Sequence, residues 1–262
     1  MPRRRLDQLL IERGLARSRA EAQALLLAGE VELSGAGSRT LKPGQLVAAD
    51  AQLTINVGPR WASRGGDKLE AALDVFGIDP TGLACLDAGA STGGFSDVLL
   101  ACSARVIYAV DVGRAQLVDR LRRDPRLVSM ERTNLRTLDS LPEPIELATL
   151  DLSFISLRLV LPAVRRLLAD DGRVIALVKP QFEAGREAVP RGGVVRDPAT
   201  HRAVLDQFAD DAMAAGFVPR QLLSSPILGG DGNREFLVLL EIGDVLDQGW
   251  TAQVERVLPS PV

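Results

Sequence analysis

The stretch from Asp87 to Asp97, DAGASTGGFSD, decides the fold of the larger part of this chain. Apolar residues lead into Asp87, a glycine-rich loop follows, and a helical pattern opens behind the loop. Glycines let a backbone approach a ligand closely, and the start of a helix offers free N–H groups. The stretch therefore predicts a nucleotide-type binding loop between a buried strand and a helix, although a tight turn without a ligand would use the same residue types.

The kind of ligand follows from what surrounds the loop. It lacks G-x-G-x-x-G spacing, and no lysine follows as in a phosphate loop. It suits a cofactor held through an adenosine and an amino-acid tail, and S-adenosyl-L-methionine fits best. Asp111 ends a second apolar run 24 residues after Asp87, where nucleotide-binding sheets hold a ribose diol. A helix cap before Arg114 is the alternative role for Asp111.

The composition excludes several classes of protein. The 262 residues are 46% apolar, which supports a proper core, and the two cysteines have no metal-ligand spacing. A single histidine, His201, argues against a histidine-based metal site or triad, so we expect no metal. We see no signal peptide and no apolar run of about 18 residues, so we expect a cytoplasmic protein without a membrane partner.

The charge is divided unevenly along the chain. Residues 1–66 carry a net charge of +4 and the remainder −7, although the total is only −3. Such asymmetry can mark an interaction arm. We predict a small α+β module over residues 1–58, a linker at 59–64, an α/β domain over 65–243 and a tail at 244–262 without clear organisation.

The small module has two helical patterns, at residues 7–13 and 18–28, with Gly14 and Gly29 at their C-terminal ends. Ser18 and Glu21 form a capping-box pattern, and short strands are predicted at 31–33, 46–47 and 53–57. Clustered arginines near the helix starts suit phosphate oxygens, with a solvated basic face as the alternative; they are Arg3, Arg4, Arg5, Arg17 and Arg19.

The larger part alternates strand and helix patterns. This alternation predicts a mostly parallel sheet covered on both faces, with the last two strands as an antiparallel hairpin at one edge. The predicted strands are residues 83–87, 105–111, 127–130, 145–150, 173–178, 217–224 and 235–242. The predicted helices are residues 94–102, 114–123, 157–169 and 198–215.

Four polar residues lie where such a sheet binds ligands. Asp151 and Lys179 each follow a strand, and Glu235 can join them only if its strand runs antiparallel. Lys68 lies on a segment that begins a helix across the same opening. A neutral lysine could take the proton of a ribose 2′-OH, with the carboxylates orienting the lysines. Taken singly, any of the four could be a surface ion-pair partner.

The first module resembles the S4 RNA-binding domain. The resemblance rests on RLDQLLIERGLARSRAEAQALLLAGEV, residues 5–31, and LKPGQLV, residues 41–47. It implies that the arginine cluster contacts RNA. We add Ser18 and Arg64 to the expected RNA contacts.

Six further motifs, SRGGDKL, LDAGASTGGFSD, YAVDVG, LDLSFISL, LVKPQFE and DGNREFL, resemble the TlyA family of ribosomal-RNA 2′-O-methyltransferases. The resemblance implies a class I, Rossmann-like methyltransferase sheet and methylation of cytidine in small- and large-subunit rRNA. It implies a catalytic Lys-Asp-Lys-Glu tetrad, carried over to Lys68, Asp151, Lys179 and Glu235. The cofactor-binding residues that the resemblance implies are Gly89, Ala90, Ser91, Thr92, Gly93, Phe95, Asp111 and Asn134. We add Asp87, Val112 and Leu135 to this set.

Three other functions remain open on the sequence. They are a non-catalytic RNA-binding or ribosome-assembly protein, a membrane-lytic haemolysin and a small-molecule O-methyltransferase. Many family members carry the name haemolysin. The intact tetrad argues against the first, and the S4-like module would have no purpose in the last. No amphipathic pore pattern supports the second.

Overall fold

The computed structural model describes residues 3–27, 31–33, 41–55, 60–185, 187–245 and 249–258. The chain forms two compact units, Met1–Arg60 and Trp61–Val262. The division falls inside the predicted linker, so that Trp61 and the three residues after it belong to the second unit.

The first unit combines two short helices with two small antiparallel ladders. Strand β1 pairs with β3, and β2 pairs with β4. Leucine and valine side chains from the helices and strands form its core, including Leu6, Leu10, Leu26, Val31 and Val47. The elements are β1 (Arg3–Arg5), α1 (Leu6–Glu12), α2 (Arg19–Leu27), β2 (Val31–Leu33), β3 (Leu46–Ala48) and β4 (Leu53–Ile55).

Most of the predicted signals in this unit are confirmed. Gly14 follows α1 with a φ of 70°, a left-handed conformation that glycine adopts without strain. Ser18 Oγ accepts the Glu21 N–H at 3.2 Å, as an N-cap does, while the Glu21 carboxylate accepts the Arg17 N–H instead. Strand β1 was not predicted, because an arginine run carries no apolar alternation. Gly29, the helix end at 28 and the strand residues 56–57 lie outside the described residues.

The second unit is built on a seven-stranded sheet in the order β10-β11-β9-β8-β5-β6-β7. Its strands are β5 (Ala84–Ala88), β6 (Val106–Val110), β7 (Leu127–Met130), β8 (Ile145–Leu150), β9 (Leu168–Val178), β10 (Phe217–Ser224) and β11 (Phe236–Ile242). Its helices are α3 (Gly65–Phe76), α4 (Gly94–Ala101), α5 (Asp119–Arg122), α6 (Leu161–Leu167), α7 (Pro180–Glu183), α8 (Pro198–Ala214) and α9 (Trp250–Val257).

The sheet is covered on both faces, as predicted. One apolar core joins the sheet to α6, α8 and α9, and the other joins it to α3, α4 and α5. Neighbouring strand residues alternate between the two cores, so that Leu86 faces the first and Cys85 the second. Strands β5 to β9 pair in parallel, whereas β11 is antiparallel to both β9 and β10. The predicted antiparallel hairpin is therefore confirmed.

Several element boundaries differ from the prediction. The helix predicted over 114–123 is confined to α5, because residues before it are non-helical; Ala115 has a φ of 52° and Val118 is extended. The helix predicted over 157–169 is a 3-10 turn, Leu157–Leu159, followed by α6. The tail contains α9, whose Trp250 and Val254 are buried, so its supposed lack of organisation is wrong.

Candidate active site

The carboxyl edge of the parallel strands gathers three of the four polar residues. Phe236 pairs with Val178 in the antiparallel ladder, so Glu235 and Lys179 come next to each other just beyond it. Asp151 follows β8, which pairs with β9 on the other side. The condition set for Glu235, an antiparallel strand, is met.

The four residues form two ion pairs. Lys68 Nζ lies 2.5 Å from Glu235 Oε2, and Lys179 Nζ lies 2.6 Å from Asp151 Oδ1. Both lysine side chains are only 10% exposed. Each buried cation therefore has its own carboxylate, which offsets part of the cost of removing it from water.

Helix α3 brings Lys68 to this edge. Its N-terminal turn packs closely, since a Cβ on Gly66 would lie 2.3 Å from the Trp61 ring. A Cβ on Gly65 would lie 3.5 Å from Asp151 Oδ2, which places the start of the helix beside the second ion pair. Lys68 follows one turn later and reaches Glu235.

A cleft of about 510 Å³, a volume usual for cofactor sites, opens next to the Lys179–Asp151 pair, because Asp151 is one of its lining residues. It lies where β5 pairs with β6 on one side and β8 on the other, the switch point at which open α/β sheets bind ligands. The cleft is lined by seven of the predicted residues, namely Gly89, Ser91, Asp111, Val112, Asn134, Leu135 and Asp151.

The Asp111 carboxylate lines the cleft and is held in place by the backbone. Its two oxygens accept one backbone N–H each, from Ser91 at 2.8 Å and from Gly113 at 2.6 Å. These bonds fix the carboxylate at the end of β6, and each oxygen keeps a lone pair for a further donor. The side chain does not cap a helix, because the segment after it is not helical.

Two glycines of the loop are required by close approach. Gly89 has a φ of 86°, and a Cβ there would lie 2.5 Å from the Asp151 carbonyl oxygen. Gly93 has a φ of 97°, and a Cβ there would lie 2.3 Å from the Leu121 side chain. Glycine is therefore required at both positions because the loop packs directly against other parts of the protein.

Other predicted cofactor residues lie beneath the cleft or beside it. Ala90, Gly93 and Phe95 are buried, and Thr92 is half-buried, with its carbonyl accepting the Val118 N–H. Asp87 is fully buried and accepts both the N–H and the hydroxyl of Ser96, at 2.9 and 2.6 Å. Burial raises the pKa of Asp87 to about 7, although the Ser96 hydrogen bonds act in the opposite direction. Asp87 therefore anchors α4 under the loop.

The model of one protein family, the FtsJ-like methyltransferases, matches residues 61–242 of this chain. That range contains the whole sheet, the cleft and both ion pairs. The chain belongs to the FtsJ-like methyltransferase family.

Named relatives match almost the whole of this FtsJ-like methyltransferase. It is 48% identical over 240 residues to YqxC of Bacillus subtilis, covering 90% of this chain and 85% of that one. It is 43% identical to the 16S/23S rRNA (cytidine-2′-O)-methyltransferase TlyA of Mycobacterium tuberculosis, covering 91% and 90%. A solved structure from Streptococcus thermophilus, named as a hemolysin, superposes with a TM-score of 0.73 at 42% identity, covering 98% and 96%.

Residues that we did not predict complete the site of this FtsJ-like methyltransferase. Ser153 Oγ accepts from Lys179 Nζ at 3.1 Å, so the lysine has two partners on the loop after β8. Phe154, in the same loop, lines the cleft, is 90% exposed and has a φ of 63°. An exposed aromatic ring in a left-handed conformation was a signal only the structure could give, because both properties depend on the fold.

Glu183 holds that loop from the other side. It lies at the end of α7, and its carboxylate accepts the Ser156 hydroxyl at 2.6 Å and the Leu157 N–H at 2.9 Å. Burial raises the pKa of Glu183. Because α7 begins directly after Lys179, Glu183 connects the segment carrying Lys179 to the loop carrying Ser153.

Two arginines of the first unit, Arg5 and Arg19, bind one buried carboxylate. Asp7 receives two hydrogen bonds from Arg5, at 3.0 and 2.9 Å, and one from Arg19 at 3.2 Å. These contacts, the Arg5 bonds first, hold the pKa of Asp7 well below its usual range despite its burial. The remaining predicted RNA contacts are exposed; they are Arg3, Arg4, Arg17, Ser18 and, in the second unit, Arg64.

Two kinds of feature are absent from the residues that the structure describes. No helix among them is long and apolar enough to cross a membrane. In the same part of the chain, no cluster of histidine, cysteine, aspartate or glutamate is suited to hold a metal ion.

Proposed function

We propose that this protein transfers the methyl group of S-adenosyl-L-methionine to the 2′-OH of a cytidine in ribosomal RNA. The observation that carries the proposal is that two ion pairs, Lys68–Glu235 and Lys179–Asp151, lie at the carboxyl edge of the sheet, where Asp151 also lines a cofactor-sized cleft. The name of the M. tuberculosis relative supports the RNA substrate and the cytidine 2′-O position.

The cofactor would lie along the loop from Gly89 to Gly93. Asp111 would accept hydrogen bonds from the ribose hydroxyls, and the side chains of Asn134 and Leu135 would lie beside the adenine. S-adenosyl-L-methionine supplies an electrophilic methyl group on its sulfonium. The contribution of the protein is then to bring a hydroxyl into line and to remove its proton.

Lys179 is the group to which we assign the 2′-OH proton. Its Nζ is held by Asp151 and Ser153, and it lies at the same edge as the cleft. When neutral, this amine can accept a proton from a hydroxyl within hydrogen-bond reach. Lys68, held by Glu235, would supply positive charge beside the reacting oxygen. Holding the reactants in line can contribute on the order of 7–11 kcal/mol to catalysis.

The RNA would be held by two kinds of contact. The arginines of the first unit suit phosphate oxygens, consistent with an S4-like RNA-binding role for residues 1–58. Phe154 offers an exposed ring on which an unstacked base could lie. The predicted cytoplasmic location is consistent with a ribosomal substrate.

The direct test is mass mapping of 2′-O-methyl groups on ribosomal subunits that lack them, after incubation with the protein and S-adenosyl-L-methionine. We expect methylation at cytidine 2′-oxygens, and none with Lys179→Ala. An unmodified RNA, or equal methylation by Lys179→Ala, would contradict the proposal. Dye release from liposomes in the same preparation tests the alternative of membrane lysis.

A further inference from the structure

Asn233 is a buried polar residue beside the site that has no part in the chemistry described above. Its side chain is fully buried and bridges two backbone groups of the segment before α8. Asn233 Oδ1 accepts the Val195 N–H at 2.9 Å, and Asn233 Nδ2 donates to the Gly193 carbonyl at 2.9 Å. One bond needs an acceptor and the other a donor, so the amide has one satisfactory orientation.

The segment that Asn233 holds is fixed a second time by His201. The ring Nε2 of His201 lies 3.1 Å from the Val195 carbonyl, so it donates to that oxygen. Burial lowers the pKa of His201, which favours the neutral ring. The same ring packs edge-on against the Phe236 ring, with the two ring centroids 5.6 Å apart. Val195 is therefore held at both its N–H and its carbonyl.

The backbone of Asn233 closes a turn against the catalytic carboxylate. The Gly229 N–H donates to the Asn233 carbonyl at 2.8 Å, and the Gly232 N–H donates to the Gly229 carbonyl at 2.9 Å. A Cβ on Gly229 would lie 2.5 Å from Glu235 Oε1. The bare backbone of Gly229 is thus one wall of the space that the Glu235 carboxylate occupies.

We infer that Asn233 is a positioning residue for the Lys68–Glu235 pair. Its side chain anchors the turn, the turn confines the Glu235 carboxylate, and the carboxylate holds Lys68 Nζ. A glycine-rich turn without this anchor would sample many conformations, because glycine restricts the backbone least. The inference rests on the proposed function for the role of the pair, while the anchoring itself rests on contacts alone.

The first experiment measures the anchoring without any activity. Asn233→Ala is compared with a control variant, Gln253→Ala. The Gln253 side chain, on α9, also bridges two backbone groups: it accepts the Leu222 N–H and donates to the Arg220 carbonyl, each at 2.9 Å. An amine-reactive label is added, and the labelling rates of Lys68 and Lys179 are read by peptide mass spectrometry. We expect Asn233→Ala to speed labelling of Lys68 at least ~3-fold and to leave Lys179 unchanged, and Gln253→Ala to change neither. An unchanged Lys68 rate in Asn233→Ala would overturn the inference.

The second experiment asks whether Asn233 acts through Glu235. Single-turnover methyl transfer should fall at least ~10-fold in Asn233→Ala, with unchanged affinity for the cofactor and for RNA. In a Glu235→Gln background the same change should cost less than ~2-fold, because the pair is already broken. If Asn233→Ala lowered the rate by the same factor in the Glu235→Gln background as in wild type, the inference would be overturned. A wild type without methyl transfer would count against the proposed function, and the labelling rates would still decide the role of Asn233.

Discussion

Lys68 Nζ and Glu235 Oε2 are 2.5 Å apart although 167 residues separate the two amino acids in the chain. Lys68 precedes every strand of the large sheet, and Glu235 immediately precedes β11, the last of them. This contact therefore forms only when the sheet is complete. The Lys68–Glu235 pair therefore depends on the integrity of the edge at which β11 runs antiparallel to β9.

Lys179→Arg should abolish turnover while preserving binding. A guanidinium remains protonated at working pH and cannot accept the 2′-OH proton, although it keeps the positive charge. We expect the single-turnover rate to fall at least ~100-fold, the lower range for loss of a general base. Calorimetry should show cofactor affinity near that of wild type. A nearly normal rate would mean that Lys179 only positions the substrate.

Asp111→Ala should weaken cofactor binding. The variant loses a charged hydrogen-bond acceptor for the cofactor, and it also loses the contacts of Asp111 with the Ser91 and Gly113 N–H groups. We therefore expect calorimetry to show a roughly 10- to 100-fold rise in the Kd for the cofactor. Asp119→Ala is the matched control, because that carboxylate is 77% exposed and lies outside the cleft. Equal affinity of Asp111→Ala and the control would remove Asp111 from the cofactor site.

Replacing Arg3, Arg4 and Arg17 together with alanine should weaken RNA binding and flatten its salt dependence. The triple variant leaves the contacts of Asp7 with Arg5 and Arg19 intact. Each lost phosphate contact lowers the slope of log Kd against log salt by about 0.7–0.9, so the three together should lower it by about 2 to 3. Arg202→Ala, which removes one positive charge from the second unit, should leave the salt dependence unchanged. Retention of the wild-type slope would indicate another role for these arginines.

The buried Asp87 should make stability depend on pH. Its pKa in the folded protein, about 7, lies above its ordinary value of 3.8, so the protonated form favours the fold. This contribution is fully present below about pH 4 and is lost as the pH rises through about 7, amounting to roughly 4 kcal/mol at most. Urea unfolding at pH 5 and pH 8 should show a smaller loss of stability in Asp87→Asn than in wild type. Parallel losses in the two proteins would show that Asp87 is not the cause.

Much of the fold could be predicted because its signals are local. Alternating apolar runs, glycine turns and capping residues are properties of neighbouring residues, and they placed β7, β8 and β10 at their observed bounds. The failures occurred where distant contacts override local pattern. Strand β1 exists because β3 pairs with an arginine run, and α9 is held by Trp250 and Val254 in a core formed by the sheet.

The sequence by itself determined the glycine loop, the α/β alternation and the identities of the four polar residues, because each follows from residue type and spacing. Only the tertiary structure decided which lysine pairs with which carboxylate, since strand order and register set those distances. It alone placed Asn233 behind Glu235 and gathered Arg5 and Arg19 on Asp7. Buried polar groups must find partners wherever the fold brings them, and no local pattern specifies that choice.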